Sequence, residues 1–196
     1  MCSNLSGEAH LTDDNLISRA RQGDQAAWEA LVREHQQPVF RLAYLLLGAA
    51  DEAEDVAQET FVRAFRALDR FDVERLARPW LLSIATNLCH NRRRSIGRYL
   101  AALRRASEEP VSYNSLGEGT EHQWEAETVR QAVRRLNPAE REIVYMRYFL
   151  ELSEAEMAGA LQVPPGTVKS RLHRAMARLR SVVDRDFPAL REERQT

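Results

Sequence analysis

Residues 153–174 restrict the fold more than any other stretch of this chain. Ser153-Glu154-Ala155-Glu156 is a helix start of the capping-box kind, in which a hydroxyl and a glutamate three residues on satisfy each other's backbone N–H groups. A short helix, Glu154 to Leu161, follows, then the turn Gln162-Val163-Pro164-Pro165-Gly166, then a longer helix from about Gly166 to Val183. Ala158 supplies the small side chain that two crossing helices need at their closest approach. Met157, Leu161, Val163, Val168 and Leu172 supply a shared core, with Ala175, Leu179 and Val183 continuing the buried stripe. This is the layout of a helix-turn-helix. Its second helix presents Thr167, Lys169, Ser170, Arg171, His173 and Arg174, and from Lys169 to Arg180 there are five Lys or Arg and no acid. Arg and Lys reach guanine edges and phosphates, and Thr and Ser hydrogen-bond to either. An amphipathic hairpin with no DNA role is the competing reading; the cap, the small residue and the clean cationic face favour DNA. Gln162 stands where many such turns carry Gly, and a left-handed backbone there costs on the order of 1 kcal/mol.

The rest of the chain is also written in helical periods. Ala, Leu, Glu and Arg dominate the 196 residues and β-branched runs are short, which predicts an all-α fold. After a loose tail, Asp13 to Gln22 forms a first short helix, Gly23-Asp24 breaks and recaps, and a long helix runs from Gln25 to Leu47. Pro38 should kink this helix or mark a weak point in it, and Gly48 ends it. From Asp51, the residues Ala53, Ala57, Phe61, Ala64, Phe65 and Leu68 form one apolar face, with the acids and Gln58 largely off it. Asp69 to Arg78 connects to a helix from Pro79 to Arg94. Its buried stripe is Leu81, Ile84, Ala85 and Leu88; Ser83, Asn87, His90, Asn91 and Arg94 lie opposite, and Trp80 is assigned to the core. Residues 96–120 lose the period and gather Ser, Gly and Pro, the pattern of a flexible linker. A helix over Glu121 to Leu136 opens a second domain. Asn137-Pro138-Ala139-Glu140 caps the next helix, which turns Ile143, Met146 and Leu150 inward.

Net charge is only −1, but the charges are segregated. Asp51 to Glu59 holds five acids and no base; Arg75 to Arg105 holds eight arginines and no acid. An acidic block beside two basic ones points to a protein partner and a polyanion on one chain. The chemistry of catalysis is absent from the pattern. The five histidines are scattered without metal spacing, no phosphate-binding glycine loop exists, and Cys2 and Cys89 form no metal or disulfide framework. Cys89 reads as a buried small hydrophobe. No enzyme, metal site or cofactor is expected. No secretory signal or membrane-spanning run is visible, which implies a cytoplasmic protein without membrane insertion.

Three segments together resemble a known family. Residues Gly166 to Ala175 are similar to the recognition helix of sigma region four in extracytoplasmic-function (ECF) sigma factors. Residues Asp51 to Phe61 resemble the core-binding helix of sigma region two, and Arg78 to Leu88 the helix that follows it. The resemblance covers about residues 13–184 and implies two small helical domains: a region two bundle over 13–95 and a region four helix-turn-helix over 121–184, joined by the linker 96–120 and flanked by tails 1–12 and 185–196. It implies that Thr167, Lys169, Ser170, Arg171, His173 and Arg174 read the upstream (−35) promoter element. Thr86, Asn87, Asn91, Arg92 and Arg93 would capture the melted (−10) element, and Asp55, Gln58, Glu59 and Arg63 would dock on core RNA polymerase. Asp51 and Glu52 read as merely solvated. The implied partners are core RNA polymerase, promoter DNA and an anti-sigma factor. The alternatives from the residues are a stand-alone helix-turn-helix regulator with an unrelated helical sensor, or an all-helical adaptor that binds no DNA.

Overall fold

The computed structural model describes residues 5–72, 75–106 and 129–187, and among these it is helical with no strand. The chain divides into two compact units.

The first unit is built from α1 (Leu5–Arg21), α2 (Gln25–Leu47), α3 (Ala50–Ala67) and α4 (Ala77–Ala106), with a 3-10 turn at Leu68–Arg70. Asp24 caps α2 by accepting from the Ala27 N–H at 3.1 Å, and the preceding Gly23 takes a φ of +87°. At the other end Gly48 is left-handed and its N–H returns to the Tyr44 carbonyl at 2.8 Å. Pro38 lies inside α2 and does not end it. Leu31, Leu42, Leu81 and Leu82 are fully buried, and Ala43, Ala53, Ala64 and Ala85 let the helices close on them. A second apolar cluster, around Ile17, Leu31, Leu68 and Phe71, seats the base of α1, with Trp80 against it and its ring 4.3 Å from that of Phe71. Polar ties add direction to this packing. His35 meets Asp13 at 3.0 Å inside the α1–α2 interface, and the Arg21 guanidinium donates to the Leu68 carbonyl at 2.9 Å and to that of Phe71.

Two boundaries differ from expectation. α1 begins at Leu5, eight residues before the expected start at Asp13, so much of the anticipated tail is helical. α4 runs on to Ala106, through residues 96–106 that were expected to open the linker. Ala and Arg are strong helix formers, and a helix already nucleated on a packed face extends through them at little cost. Residues 107–120, the remainder of the expected linker, lie outside the described residues.

Further along the chain α5 is described over residues 129–134, followed by α6 (Pro138–Val144), a π-helical turn (Tyr145–Phe149), α7 (Glu154–Leu161) and α8 (Pro165–Asp186). Both capping boxes form. Asn137 Oδ1 accepts from the Glu140 N–H at 2.9 Å while Glu140 accepts from the Asn137 N–H at 3.2 Å. Ser153 and Glu156 make the same exchange at 3.2 and 2.8 Å. Among the described residues two are left-handed without being glycine: Glu151, φ +56°, after the π turn, and Gln162, φ +54°, between α7 and α8. At Gln162 the Val163 N–H reaches back to the Ala158 carbonyl at 3.1 Å, the closing bond of a Schellman motif. The position is left-handed, so Gln accepts the strain that Gly would avoid. Ile143, Met146, Leu152, Met157, Val168 and Ala175 are fully buried between these helices. On α8 the buried series is Val168, Ala175, Val182, so Val182 takes the place expected for Val183.

Candidate functional site

The first candidate surface lies on the N-terminal half of α8. Burial of Val168 and Ala175 fixes the rotation of the helix, and this turns Lys169, Ser170, His173 and Arg174 to solvent, with Thr167 and Arg171 half-buried beside them. Ser170 Oγ donates to the Thr167 carbonyl at 3.1 Å, leaving its lone pairs outward. Arg174 Nε lies along the helix against the Ser170 carbonyl at 3.3 Å. Among the described residues no ion pair to an acid is formed by Lys169, Arg171 or Arg174. The helix opens at Pro165, and residues past the first turn present side chains where a groove-bound helix reads bases.

The second surface is a groove of about 700 Å³ between α3 and α4. It brings together two residue sets that the sequence keeps apart. Asp55, Gln58, Glu59 and Arg63 line it from α3, and Asn91 and Arg92 from α4. Arg92 crosses the groove: its Nε donates to the Glu52 carboxylate and its Nη2 to Asp55 at 2.8 Å. These hydrogen bonds, Glu52 first and then Asp55, raise the guanidinium pKa above its ordinary value. Glu52 is therefore an ion-pair partner, not the merely solvated acid expected. Glu59 and Arg63 pair within α3 at 2.7 Å, one helical turn apart. Asn87 is exposed, Asn91 is exposed with its Oδ1 accepting from Arg94 at 2.6 Å, and Arg93 is half-exposed.

Thr86 does not belong with them. It is 4 % exposed, and its buried hydroxyl has no hydrogen-bond partner among the described residues. Ser83, also expected on the outer side, is buried and donates to the Trp80 carbonyl at 2.7 Å. The reason is that α4 packs on both α2 and α3, so its buried arc is wider than a single stripe and takes in Leu82, Ser83, Thr86 and Cys89.

Sequence periodicity also misses an apolar surface. By period Phe65 belongs to the buried face of α3, yet it is 57 % exposed; its ring stacks edge-on to Trp28, centroids 5.2 Å apart. With Trp28, Val32, Phe61 and Val62 it lines a groove of about 950 Å³ between α2 and α3. The signal available in the sequence is the cluster Phe61, Val62 and Phe65, which spreads over a wider arc than a single buried stripe; Phe61 is buried, and Val62 and Phe65 are left as exposed apolar surface. Among the described residues no group of three or more His, Cys, Asp or Glu is placed to hold a metal, and no helix is long and apolar enough to cross a membrane.

The chain matches two family models in succession, Sigma-70 region 2 over residues 31–99 and Sigma-70 region 4 over residues 126–179. It is 35% identical over 173 residues to the ECF RNA polymerase sigma factor SigW of Bacillus subtilis, covering 84% of this chain and 92% of SigW. It is 33% identical over 174 residues to the ECF RNA polymerase sigma-E factor of Salmonella typhimurium, covering 84% and 91%. Among solved structures it is similar to CnrH in complex with the cytosolic domain of CnrY, with a TM-score of 0.67, 27% identity, and coverage of 89% of this chain and 99% of that one. Two sigma regions in family order, on relatives matched over nearly their whole length, leave the stand-alone regulator unfavoured: the chain belongs to the ECF sigma factors of bacterial RNA polymerase.

Proposed function

We propose that the chain binds core RNA polymerase through the outer face of α3, with Asp55, Gln58, Glu59 and Arg63, and directs it to promoters. The N-terminal half of α8, through Thr167, Lys169, Ser170, Arg171, His173 and Arg174, meets the −35 element. Asn87, Asn91 and Arg93 on α4 meet the melted −10 strand, where amides can read an unstacked base and an arginine can hold its backbone. The observation that carries this reading is the cationic face of α8, which has no acidic partner among the described residues and so is available to phosphate. The apolar groove beside α3, with Trp28 and Phe65, extends the polymerase-docking face, because exposed aromatics clustered next to polar contacts are the composition of a protein interface. The chain itself performs no covalent chemistry and works in the cytoplasm, where the polymerase is. An anti-sigma protein is a further partner, by analogy with CnrH, whose solved structure holds the cytosolic domain of CnrY.

The test is transcription in vitro with purified core. Wild-type chain is expected to start transcripts at a promoter that core alone ignores. Asp55→Arg with Glu59→Arg is expected to weaken core binding roughly tenfold or more while far-ultraviolet dichroism stays unchanged, because like charges set against each other at an interface cost several kcal/mol. Normal assembly of the doubly reversed variant removes α3 from the docking face. Tight operator binding by the free chain, without polymerase, overturns the whole reading.

A further inference from the structure

We propose that Arg92 is a latch between the polymerase-docking helix and the DNA-capturing helix: in the free chain Glu52 and Asp55 hold it, and docking of core on α3 releases it to the promoter strand. The inference rests on the roles just given to α3 and α4, and adds to them a coupling through one named side chain.

Arg92 comes from α4, one residue after Asn91, and both carboxylates that hold it come from the first two turns of α3. A guanidinium committed through Nε to one acid and through Nη2 to another keeps donors free, but it sits beside two negative charges against its single positive one. The two carboxylates offset the Arg92 charge, so in the free chain this guanidinium offers a phosphate near Asn91 less attraction than the bare run of three arginines suggests. Asp55 is also one of the α3 acids proposed to face the polymerase. A basic polymerase surface that engages Asp55 takes away part of what holds Arg92, and the freed guanidinium then lies next to the proposed −10 residues.

The strength of the pairing suits exchange. The Arg92, Glu52 and Asp55 side chains are 40, 32 and 64 % exposed, so the pairs are solvent-screened and each is worth only a small multiple in equilibrium. A deeply buried triad could not open at that cost. The same weakness bounds the effect. Release should change single-strand affinity by roughly two- to fivefold, the range expected of one phosphate contact and one exposed ion pair.

The proposal is tested by fluorescence anisotropy with a labelled mixed-sequence single strand, using the free full-length chain and the chain saturated with core. Arg92→Gln is expected to weaken single-strand binding roughly two- to fivefold in the holoenzyme and to leave the free chain unchanged. Glu52→Gln with Asp55→Asn is expected to tighten binding by the free chain, and by more than Asp51→Asn with Glu54→Gln, which removes the same charge from the same helix without touching Arg92. Adding Arg92→Gln to the first pair should cancel the excess. Equal gains from both acid pairs, a gain that survives Arg92→Gln, or an Arg92→Gln effect of the same size with and without core each overturn the latch while leaving the α4 capture site standing. A wild-type holoenzyme that captures no single strand brings down both.

Discussion

The α3–α4 groove and the α8 face are both dense in charge, and they differ in what that charge is free to do. In the groove the charges are largely spent on one another: Arg92 lies on Glu52 and Asp55, and Arg63 on Glu59. On α8, Lys169, Arg171 and Arg174 stand without an acid among the described residues. A charge run in a sequence is thus an inventory of groups, and availability depends on which neighbours the fold supplies. A compensated surface suits an exchange of partners, in which one ion pair replaces another. An uncompensated one suits a polyanion, whose condensed counterions are released when the cations bind.

The contrast is broken most directly on α8. Lys169→Ala, Arg171→Ala and Arg174→Ala together are expected to lower holoenzyme affinity for the upstream element by on the order of a thousandfold, at ~1–3 kcal/mol for each base-edge contact. The slope of log affinity against log salt should flatten by about 0.9 for each phosphate that the variant no longer neutralises. Unchanged promoter affinity in the triple variant would make α8 another compensated or idle surface.

Thr86 sharpens the contrast on the other helix, because it separates the buried arc of α4 from its capturing face. Thr86→Val keeps the shape and removes a buried hydroxyl that has no partner among the described residues. Denaturant unfolding should show stabilisation of about 1 kcal/mol with single-strand binding unaltered. Loss of DNA binding in this variant would return Thr86 to the capture site. The smallest effect is expected in the turn that orients α8. Gln162→Gly relieves a left-handed backbone at φ +54° and should stabilise the protein by up to about 1 kcal/mol without changing promoter affinity. A drop in stability there would mean that the Gln162 side chain contributes more than its backbone strain removes.

Much of this molecule is legible one residue at a time. Capping boxes at Asn137 and Ser153, the break at Gly23, the stop at Gly48 and the left-handed turn at Gln162 depend on a few neighbouring atoms, and the sequence contains all of those atoms. The cationic face of α8 is legible for the same reason, since helical period alone carries Lys169, Ser170 and His173 away from Val168. What the sequence could not decide was how wide each buried arc is and which charges meet. Thr86 and Ser83 are inside because α4 is packed by two helices, and Phe65 is outside because the buried arc of α3 ends at Phe61 and Ala64. Arg92 finds Glu52 and Asp55 across 40 and 37 residues of chain. Local periods state which way a side chain points from its own helix axis; only the distance and rotation of a neighbouring axis determine what it meets there.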